Sequence, residues 1–182
     1  MSMRPTLRDF ELIDAIEELP VNIFTGNVYR LVREGRDPIS CWHPKGRWDD
    51  GEMDVLYTSL SEAGALAEVR YHQSQQPFAP DFLQFRMYKL SMTELEVLDL
   101  RSEQTLTDLG VDLGAWGRSN YVSLSNEYVR TQEIAAVAEF HERSGLIVPS
   151  ARSSEHNLVI LTPKALESTC GEPEDLGLRN VM

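Results

Sequence analysis

The sequence predicts an α+β fold, in which strands and helices follow one another without the regular βαβ alternation of a doubly wound sheet. Apolar runs rich in β-branched or aromatic residues predict strands at 26–34, 55–58, 145–150 and 157–162. Apolar residues at helical spacing predict helices at 8–18, 61–72 and 126–143. The chain has 182 residues, of which 42% are hydrophobic, so that one domain with a sizeable core is expected.

The first third of the chain contains a helix, a strand and a long loop. In the helix, Phe10, Ile13 and Ile16 lie at near-helical spacing, and Pro20 ends it. The strand GNVYRLVRE follows, and then a loop rich in Gly, Pro and Trp fills 35–54. Connections of that length in a compact domain are usually functional or disordered, and the Trp and His side chains favour function.

The remaining elements follow from short apolar runs and their boundaries. Ser59 and Glu62 have capping-box spacing, which allows the helix at 61–72 to begin slightly earlier. FLQFRMYKL and LEVLDL predict two strands, at 82–90 and 95–100, separated by a short turn. The sequence thus predicts three parts, listed in chain order: an N-terminal helical segment (1–20), a main domain (21–163) and a weakly structured C-terminal tail (164–182).

Composition and charge exclude several classes of function. The net charge of −12 and a pI of about 4.7 argue against direct nucleic-acid binding, which needs a clustered basic face. No apolar run approaches the roughly 20 residues of a membrane span, and the N-terminus lacks the apolar region of a signal peptide, so a cytoplasmic protein is expected. The two cysteines form no CxxC motif, and the four histidines have no metal-ligand spacing, which predicts no metal site.

Two arginines and a tyrosine suit the recognition of a ligand. Arg30 shares a strand face with Val28 and Val32, where its charge needs an anionic or hydrogen-bonding partner; a structural ion pair or a solvated edge position is the alternative. Arg47 follows Gly46, which lets backbone approach a ligand closely, and Arg is suited to phosphate recognition; a solvated loop arginine is the alternative. Tyr57 can stack on a flat ligand or be a core tyrosine with a satisfied hydroxyl.

A carboxylate and a serine complete the candidate site. Glu68 follows Gly64 and Ala65 by one helical turn, and these small residues leave a hollow for a backbone or a ligand; a solvent-facing glutamate is the alternative. Ser150 ends an apolar strand before a polar loop, a common place for binding groups. The sequence contains no GxSxG elbow, so it gives no indication of a serine hydrolase.

Several blocks of sequence together resemble the RES-domain toxins of bacterial RES–Xre toxin–antitoxin pairs. In family order these blocks are VYRLV (28–32), DPIS (37–40), GRWD (46–49), LYTSLSEAGALAEVRYH (56–72), LEVLDL (95–100), LGVDL (109–113), QEIA (132–135) and LIVPSARSSEHNLVIL (146–161). The resemblance covers about residues 26–162. It implies an ADP-ribosyltransferase-like fold with small mixed β-sheets flanked by helices, and NAD as substrate without a metal.

The resemblance also implies a role for each candidate residue. Glu68 is the expected catalytic carboxylate, Arg30 and Arg47 are expected to contact the NAD diphosphate or ribose, and Tyr57 to stack near the nicotinamide. Ser150 is the expected polar residue of the pocket. The implied reaction cleaves the nicotinamide–ribose bond by hydrolysis or phosphorolysis; a protein ADP-ribosyltransferase and a non-catalytic partner-binding module are the alternatives.

The implied partner is an Xre-type antitoxin, which gives a hetero-oligomer, with a homodimer as a second possibility. One loop departs from the family pattern. Members usually have a further glycine before GRW and an Asn after it, whereas this chain has Lys45 and Asp49. These two differences predict an altered contact between the loop and the substrate.

Overall fold

The computed structural model describes residues 9–41, 44–76, 84–116 and 128–181. Within these ranges the α-helices are α1 (Phe10–Glu18), α2 (Glu62–Ser74), α3 (Glu103–Asp108), α4 (Val129–Phe140) and α5 (Pro163–Thr169). A short 3-10 helix spans Leu113–Ala115. The strands are β1 (Val21–Arg33), β2 (Leu56–Ser59), β3 (Phe85–Asp99), β4 (Gly145–Pro149), β5 (His156–Ile160) and β6 (Glu174–Arg179).

The six strands form one mixed sheet in the order β1-β2-β5-β4-β3-β6. All pairings are antiparallel except β3 with β4, which is parallel. Because β1 also pairs with β3 along most of its length, the first five strands in this order close into a ring. The predicted α+β class with mixed sheet pairing is therefore present, as a single sheet instead of several small ones.

Two apolar clusters occupy the two faces of this ring. One cluster contains residues of β1, β2, β3, β4 and β5, among them Val28, Leu56 and Ile147. The other packs α1, α3 and α4 against the opposite face of β2, β4 and β5. Leu12 and Ile16 of α1 belong to it, so the N-terminal helix shares the core of the main domain.

The prediction of two strands at 82–90 and 95–100 was wrong, because β3 is continuous from Phe85 to Asp99. The pairing with β1 shifts register between Phe24 and Gly26. Opposite this shift, Glu94 takes a φ of 53°, and its N–H donates to the Thr25 hydroxyl at 3.0 Å. The residues predicted as a turn form a β-bulge, because the long partner strand keeps both halves extended.

The prediction of a weakly structured tail was also wrong. Pro163 is the first residue of α5, and the Thr162 side chain caps its N-terminus, a position that proline favours. β6 then pairs with β3, and Arg86 bridges to Asp175 across the two strands. Pro163 therefore marks a helix start, and Gly177, with a φ of 86°, lies within β6 where its pairing with β3 shifts register.

The remaining predicted boundaries differ slightly from those observed. β1 begins at Val21, five residues before the predicted strand. α2 is capped by Ser61, whose hydroxyl accepts from the Gly64 N–H at 3.0 Å, so the capping box at Ser59 does not form. In the described part of the chain, no helix has the length and apolar character needed to cross a membrane.

Candidate active site

The Glu68 carboxylate is held by two side chains, one from the residue that follows β4 and one from β5. The Ser150 hydroxyl donates to Glu68 Oε1 at 2.8 Å, and Asn157 Nδ2 donates to the same oxygen at 3.0 Å. Glu68 is only partly buried, and Ser150 is buried. We call Glu68, Ser150 and Asn157 the Glu68 cluster. Hydrogen bonds to a charged acceptor are strong, so this carboxylate has a fixed orientation.

Strand register explains why these three residues meet. Asn157 pairs with Ser59 of β2, and Ser150 directly follows β4, which pairs with β5. Since alternate strand residues share a face, Asn157 lies on the same face as Tyr57 and Ser59. α2 begins shortly after β2 and carries Glu68 over this end of the sheet.

The hollow predicted beside Gly64 is filled by the protein itself. A Cβ atom at Gly64 would lie 2.1 Å from Ser59 Oγ, so Gly64 lets α2 approach the end of β2. Ala65 packs in a separate apolar cluster with Leu31 and Phe85. The small residues therefore position Glu68 by close helix–strand packing, and the expectation that they make room for a ligand was wrong.

Aromatic and basic side chains flank the Glu68 cluster. The Arg152 guanidinium lies over the Tyr71 ring, with Cζ 3.4 Å from the centroid. The backbone N–H of Arg152 donates to the Ser150 hydroxyl at 3.0 Å. His72, one turn after Glu68, meets Tyr71 edge to face. Desolvation where the ring packs lowers the pKa of His72, while the Glu68 charge raises it and Arg152 lowers it.

The loop that contains Gly46, Arg47 and Trp48, which we call the GRW loop, is organised around Asp49. This carboxylate is fully buried. It accepts hydrogen bonds from the backbone N–H groups of Lys45 at 2.7 Å, Gly46 at 2.7 Å and Gly51 at 3.1 Å. Lys45 has a φ of 57°, in the left-handed region where glycine is favoured. Asp49 therefore shapes the loop from within.

Tyr57 joins the GRW loop to the sheet. Its hydroxyl donates to Asp49 Oδ2 at 3.0 Å and accepts from the Trp48 N–H at 2.9 Å. Burial raises the pKa of Tyr57 well above its usual value, and the Asp49 charge raises it further. A Cβ at Gly46 would lie 2.8 Å from this hydroxyl, so Gly46 allows close approach of Tyr57. The alternative of a tyrosine with a satisfied hydroxyl is observed.

Arg47 lies within an aromatic enclosure. Its guanidinium carbon is 4.3 Å from the centroid of Trp116 and 4.5 Å from that of Tyr128, and the residue is only 9% exposed. From α4, the Thr131 hydroxyl donates to the Arg47 carbonyl at 2.6 Å, and Gln132 Nε2 donates to the Gly46 carbonyl at 2.8 Å. Helix α4 thereby fixes the GRW loop.

Arg30 lies apart from the Glu68 cluster. The register pairs its neighbour Tyr29 with Ser59, so that Arg30 points to the opposite face of the sheet. Its Nη1 donates to the carbonyls of Pro38 at 2.6 Å and Ser40 at 3.1 Å. Burial lowers the pKa of Arg30, although the nearby Cys41 and Asp37 side chains act in the opposite direction.

The structure thus separates the predicted residues into groups. Glu68 meets Ser150 directly, whereas Tyr57, Gly46 and Arg47 belong to the GRW loop and its supports. Sequence reasoning missed Asn157, which begins the strand NLVIL and alternates with two apolar residues on its face. That alternation was the available signal, because a polar residue in an inward-facing position needs a hydrogen-bonding partner.

Comparison with known proteins places this geometry in a family. The family model described as "RES domain" matches residues 27–179, which span the Glu68 cluster, the GRW loop and β6. This chain belongs to the RES domain family. The predicted family is therefore confirmed, and the match extends beyond the predicted 26–162 because α5 and β6 are part of the domain.

One curated relative of this RES-domain chain is a Mycobacterium tuberculosis protein named "Probable NAD(+) phosphorylase". The two are 33% identical over 133 residues, which cover 71% of this chain and 61% of the relative. The chain thus matches somewhat less than two thirds of the relative's length.

A solved structure supports the fold. One chain of the crystal structure of the M. tuberculosis MbcT–MbcA toxin–antitoxin complex superposes with a TM-score of 0.75 at 18% identity, and 93% of each chain is covered. This likeness shows that the two chains share a fold, and the expected α+β class is confirmed.

Proposed function

We propose that this RES-domain chain is the toxin of a toxin–antitoxin pair and consumes NAD by cleaving the bond between nicotinamide and ribose. The observation that carries the proposal is the Glu68 carboxylate, with one oxygen held by Ser150 and Asn157. A relative named as a probable NAD(+) phosphorylase, 33% identical over 133 residues, supports the choice of substrate.

The proposed reaction requires orientation and negative charge more than proton transfer. Nicotinamide leaves NAD as a neutral base, because the bound form is already a cationic pyridinium, so no general acid is needed. Positive charge develops on the ribose as in other glycosyl transfers, and a fixed carboxylate stabilises it without reorganising. Glu68 Oε2 accepts no hydrogen bond from the described residues, so this oxygen is the one that would face the ribose.

The supporting residues would bind and orient the substrate. Tyr57 is half-buried beside the GRW loop, and its ring would stack near the nicotinamide. To bind the diphosphate, Arg30 Nη1 would give up its hydrogen bonds to the carbonyls of Pro38 and Ser40 and donate to phosphate oxygens instead. Arg47, enclosed by Trp116 and Tyr128, would contact the cofactor only through the edge of its guanidinium.

The proposed partner is an Xre-type antitoxin. The structural relative comes from a toxin–antitoxin complex, which supports an antitoxin as the binding partner, and the family resemblance supplies the Xre type. DNA binding by the pair would then reside in the antitoxin, because this chain carries a net charge of −12.

Purified protein free of antitoxin should be incubated with NAD, with and without inorganic phosphate, and the products identified by mass. We expect free nicotinamide together with ADP-ribose, phosphorylated ADP-ribose, or both. Unchanged NAD would refute the proposal and favour a partner-binding module. ADP-ribose found only on a macromolecule would favour a protein ADP-ribosyltransferase.

A further inference from the structure

Arg152 is the arginine whose contacts tie it to the Glu68 cluster. Its N–H donates to Ser150 Oγ at 3.0 Å, and that same hydroxyl donates to Glu68 at 2.8 Å. The backbone of Arg152 is therefore fixed to the oxygen that orients the carboxylate. By contrast, Arg30 hydrogen-bonds the carbonyls of Pro38 and Ser40.

The Arg152 side chain is pre-organised as well. Its guanidinium carbon lies 3.4 Å from the centroid of the Tyr71 ring, and Tyr71 is three residues after Glu68 on α2. Positions three and four apart share one face of a helix. Stacking on Tyr71 fixes the plane of the Arg152 guanidinium beside α2, and the planar fork of an arginine is suited to bidentate recognition of phosphate.

The electrostatic neighbourhood agrees with this placement. Besides desolvation, which is the largest effect, the pKa of His72 is raised by Glu68 and lowered by Arg152. Both the Glu68 carboxylate and the Arg152 guanidinium therefore act on His72, in opposite directions.

A phosphate anion that accepts ADP-ribose is repelled by the negative charge of the site, whereas a water molecule is not. To attack the ribose carbon, an inorganic phosphate anion must approach the same region as the Glu68 carboxylate, and like charges repel strongly where solvent is excluded. A water molecule meets no such repulsion. An enzyme that uses phosphate therefore needs a cation beside its carboxylate.

We propose that Arg152, held over Tyr71 beside the Glu68 cluster, binds the inorganic phosphate that accepts ADP-ribose and so favours phosphorolysis over hydrolysis; this rests on the proposed function. In the step, a phosphate oxygen forms a bond to the ribose carbon as the bond from that carbon to nicotinamide breaks. The bonding electron pair goes to the nicotinamide nitrogen. The products are neutral nicotinamide and ADP-ribose phosphorylated on that carbon.

The test is a phosphate titration of NAD cleavage by Arg152→Gln, Arg152→Lys and the wild type. Arg70→Gln is the matched control, because Arg70 is an exposed residue of α2 that contacts the Asn180 carbonyl. Phosphorylated and free ADP-ribose are quantified by mass, and circular dichroism checks the fold of each variant.

We expect Arg152→Gln to raise the KM for phosphate at least about tenfold, the usual consequence of losing a charge-assisted hydrogen bond. The product ratio should shift toward ADP-ribose, with a smaller change in the KM for NAD. Arg152→Lys keeps the charge but not the planar group that stacks on Tyr71, so its KM for phosphate should lie between those of the wild type and Arg152→Gln. Arg70→Gln should match the wild type.

Three outcomes would overturn the assignment. An unchanged KM for phosphate in both Arg152 variants would refute it, and so would equal increases in the KM for phosphate and for NAD, which would place Arg152 on the NAD diphosphate. Wild-type cleavage that never incorporates phosphate would refute this inference while leaving the NAD-consuming function intact. A wild type that does not cleave NAD would refute the proposed function itself.

Discussion

The Ser150 hydroxyl donates to Glu68 Oε1 at 2.8 Å and so joins two residues that are 82 positions apart in the chain. One residue follows a core strand and the other lies on the helix that crosses the end of the sheet. Asn157 binds the same oxygen from the neighbouring strand at 3.0 Å. These two hydrogen bonds fix the position of the other carboxylate oxygen as well.

Glu68→Gln tests the carboxylate directly. The amide is isosteric but carries no charge, so it cannot stabilise positive charge on the ribose. We expect the kcat for NAD cleavage to fall by roughly 10²-fold or more, the scale seen when one electrostatic catalytic group is removed. Initial-rate kinetics on NAD measure it.

Glu62→Gln is the matched control for that experiment, because Glu62 lies on the same helix and pairs with Arg179 at 3.0 Å on the surface. Its turnover should equal that of the wild type. Full activity in Glu68→Gln would remove Glu68 from the reaction.

Gly64→Ala should destabilise the protein, although alanine is normally favoured over glycine in a helix by about 1 kcal/mol. The added Cβ would lie 2.1 Å from Ser59 Oγ, and Ser59 is buried. Overpacking of this kind costs roughly 1–3 kcal/mol. Urea denaturation would measure the loss in the free energy of unfolding.

The double variant Ser59→Ala/Gly64→Ala provides the control, because it removes the clashing oxygen. It should recover part of the stability lost by Gly64→Ala relative to Ser59→Ala alone. Strictly additive losses would show that the two residues do not interact.

Lys45→Gly should stabilise the protein. Lys45 has a φ of 57°, and a residue with a Cβ pays roughly 1 kcal/mol in that region, whereas glycine does not. We expect a gain of about 0.5–1 kcal/mol in the free energy of unfolding, measured with urea. Lys45→Ala keeps the Cβ and should show no gain; equal stability of the two variants would contradict the backbone explanation.

Tyr57 should ionise only at a pH well above the usual tyrosine value of about 10, because burial and the Asp49 charge raise its pKa. Below pH 10 the residue is neutral in both the folded and the unfolded state. As the pH rises above 10, the unfolded state ionises first, so stability is lost with increasing pH.

Comparison of wild type with Tyr57→Phe isolates this residue. The difference between their phenolate absorbance titrations should have its midpoint well above pH 10, and the alkaline loss of stability should be shallower in the variant. A midpoint at or below pH 10 would show that the hydroxyl is not held by Asp49 and Trp48.

Local sequence patterns correctly predicted the helices and strands that are stabilised mainly by residues close to them in the chain. The α2 helix and the short apolar strands β4 and β5 were predicted within a few residues of their observed bounds. β3 was not, because its pairing with β1 holds it extended through the bulge at Glu94. The tail was missed for a similar reason, since β6 is stabilised by pairing with β3.

By itself, the sequence determined the α+β class and the RES-domain family, and it predicted Glu68 and Ser150 as site residues. Characteristic blocks of residues can be recognised from the sequence alone, because they depend only on which residues are present and in what order. Only the tertiary structure decided that Asn157 hydrogen-bonds Glu68, that Gly64 accommodates Ser59, and that Arg152 stacks on Tyr71 and bonds Ser150 while Arg30 points to the opposite face of the sheet. These are relationships of distance and direction, which strand register and helix packing create between residues far apart in the chain.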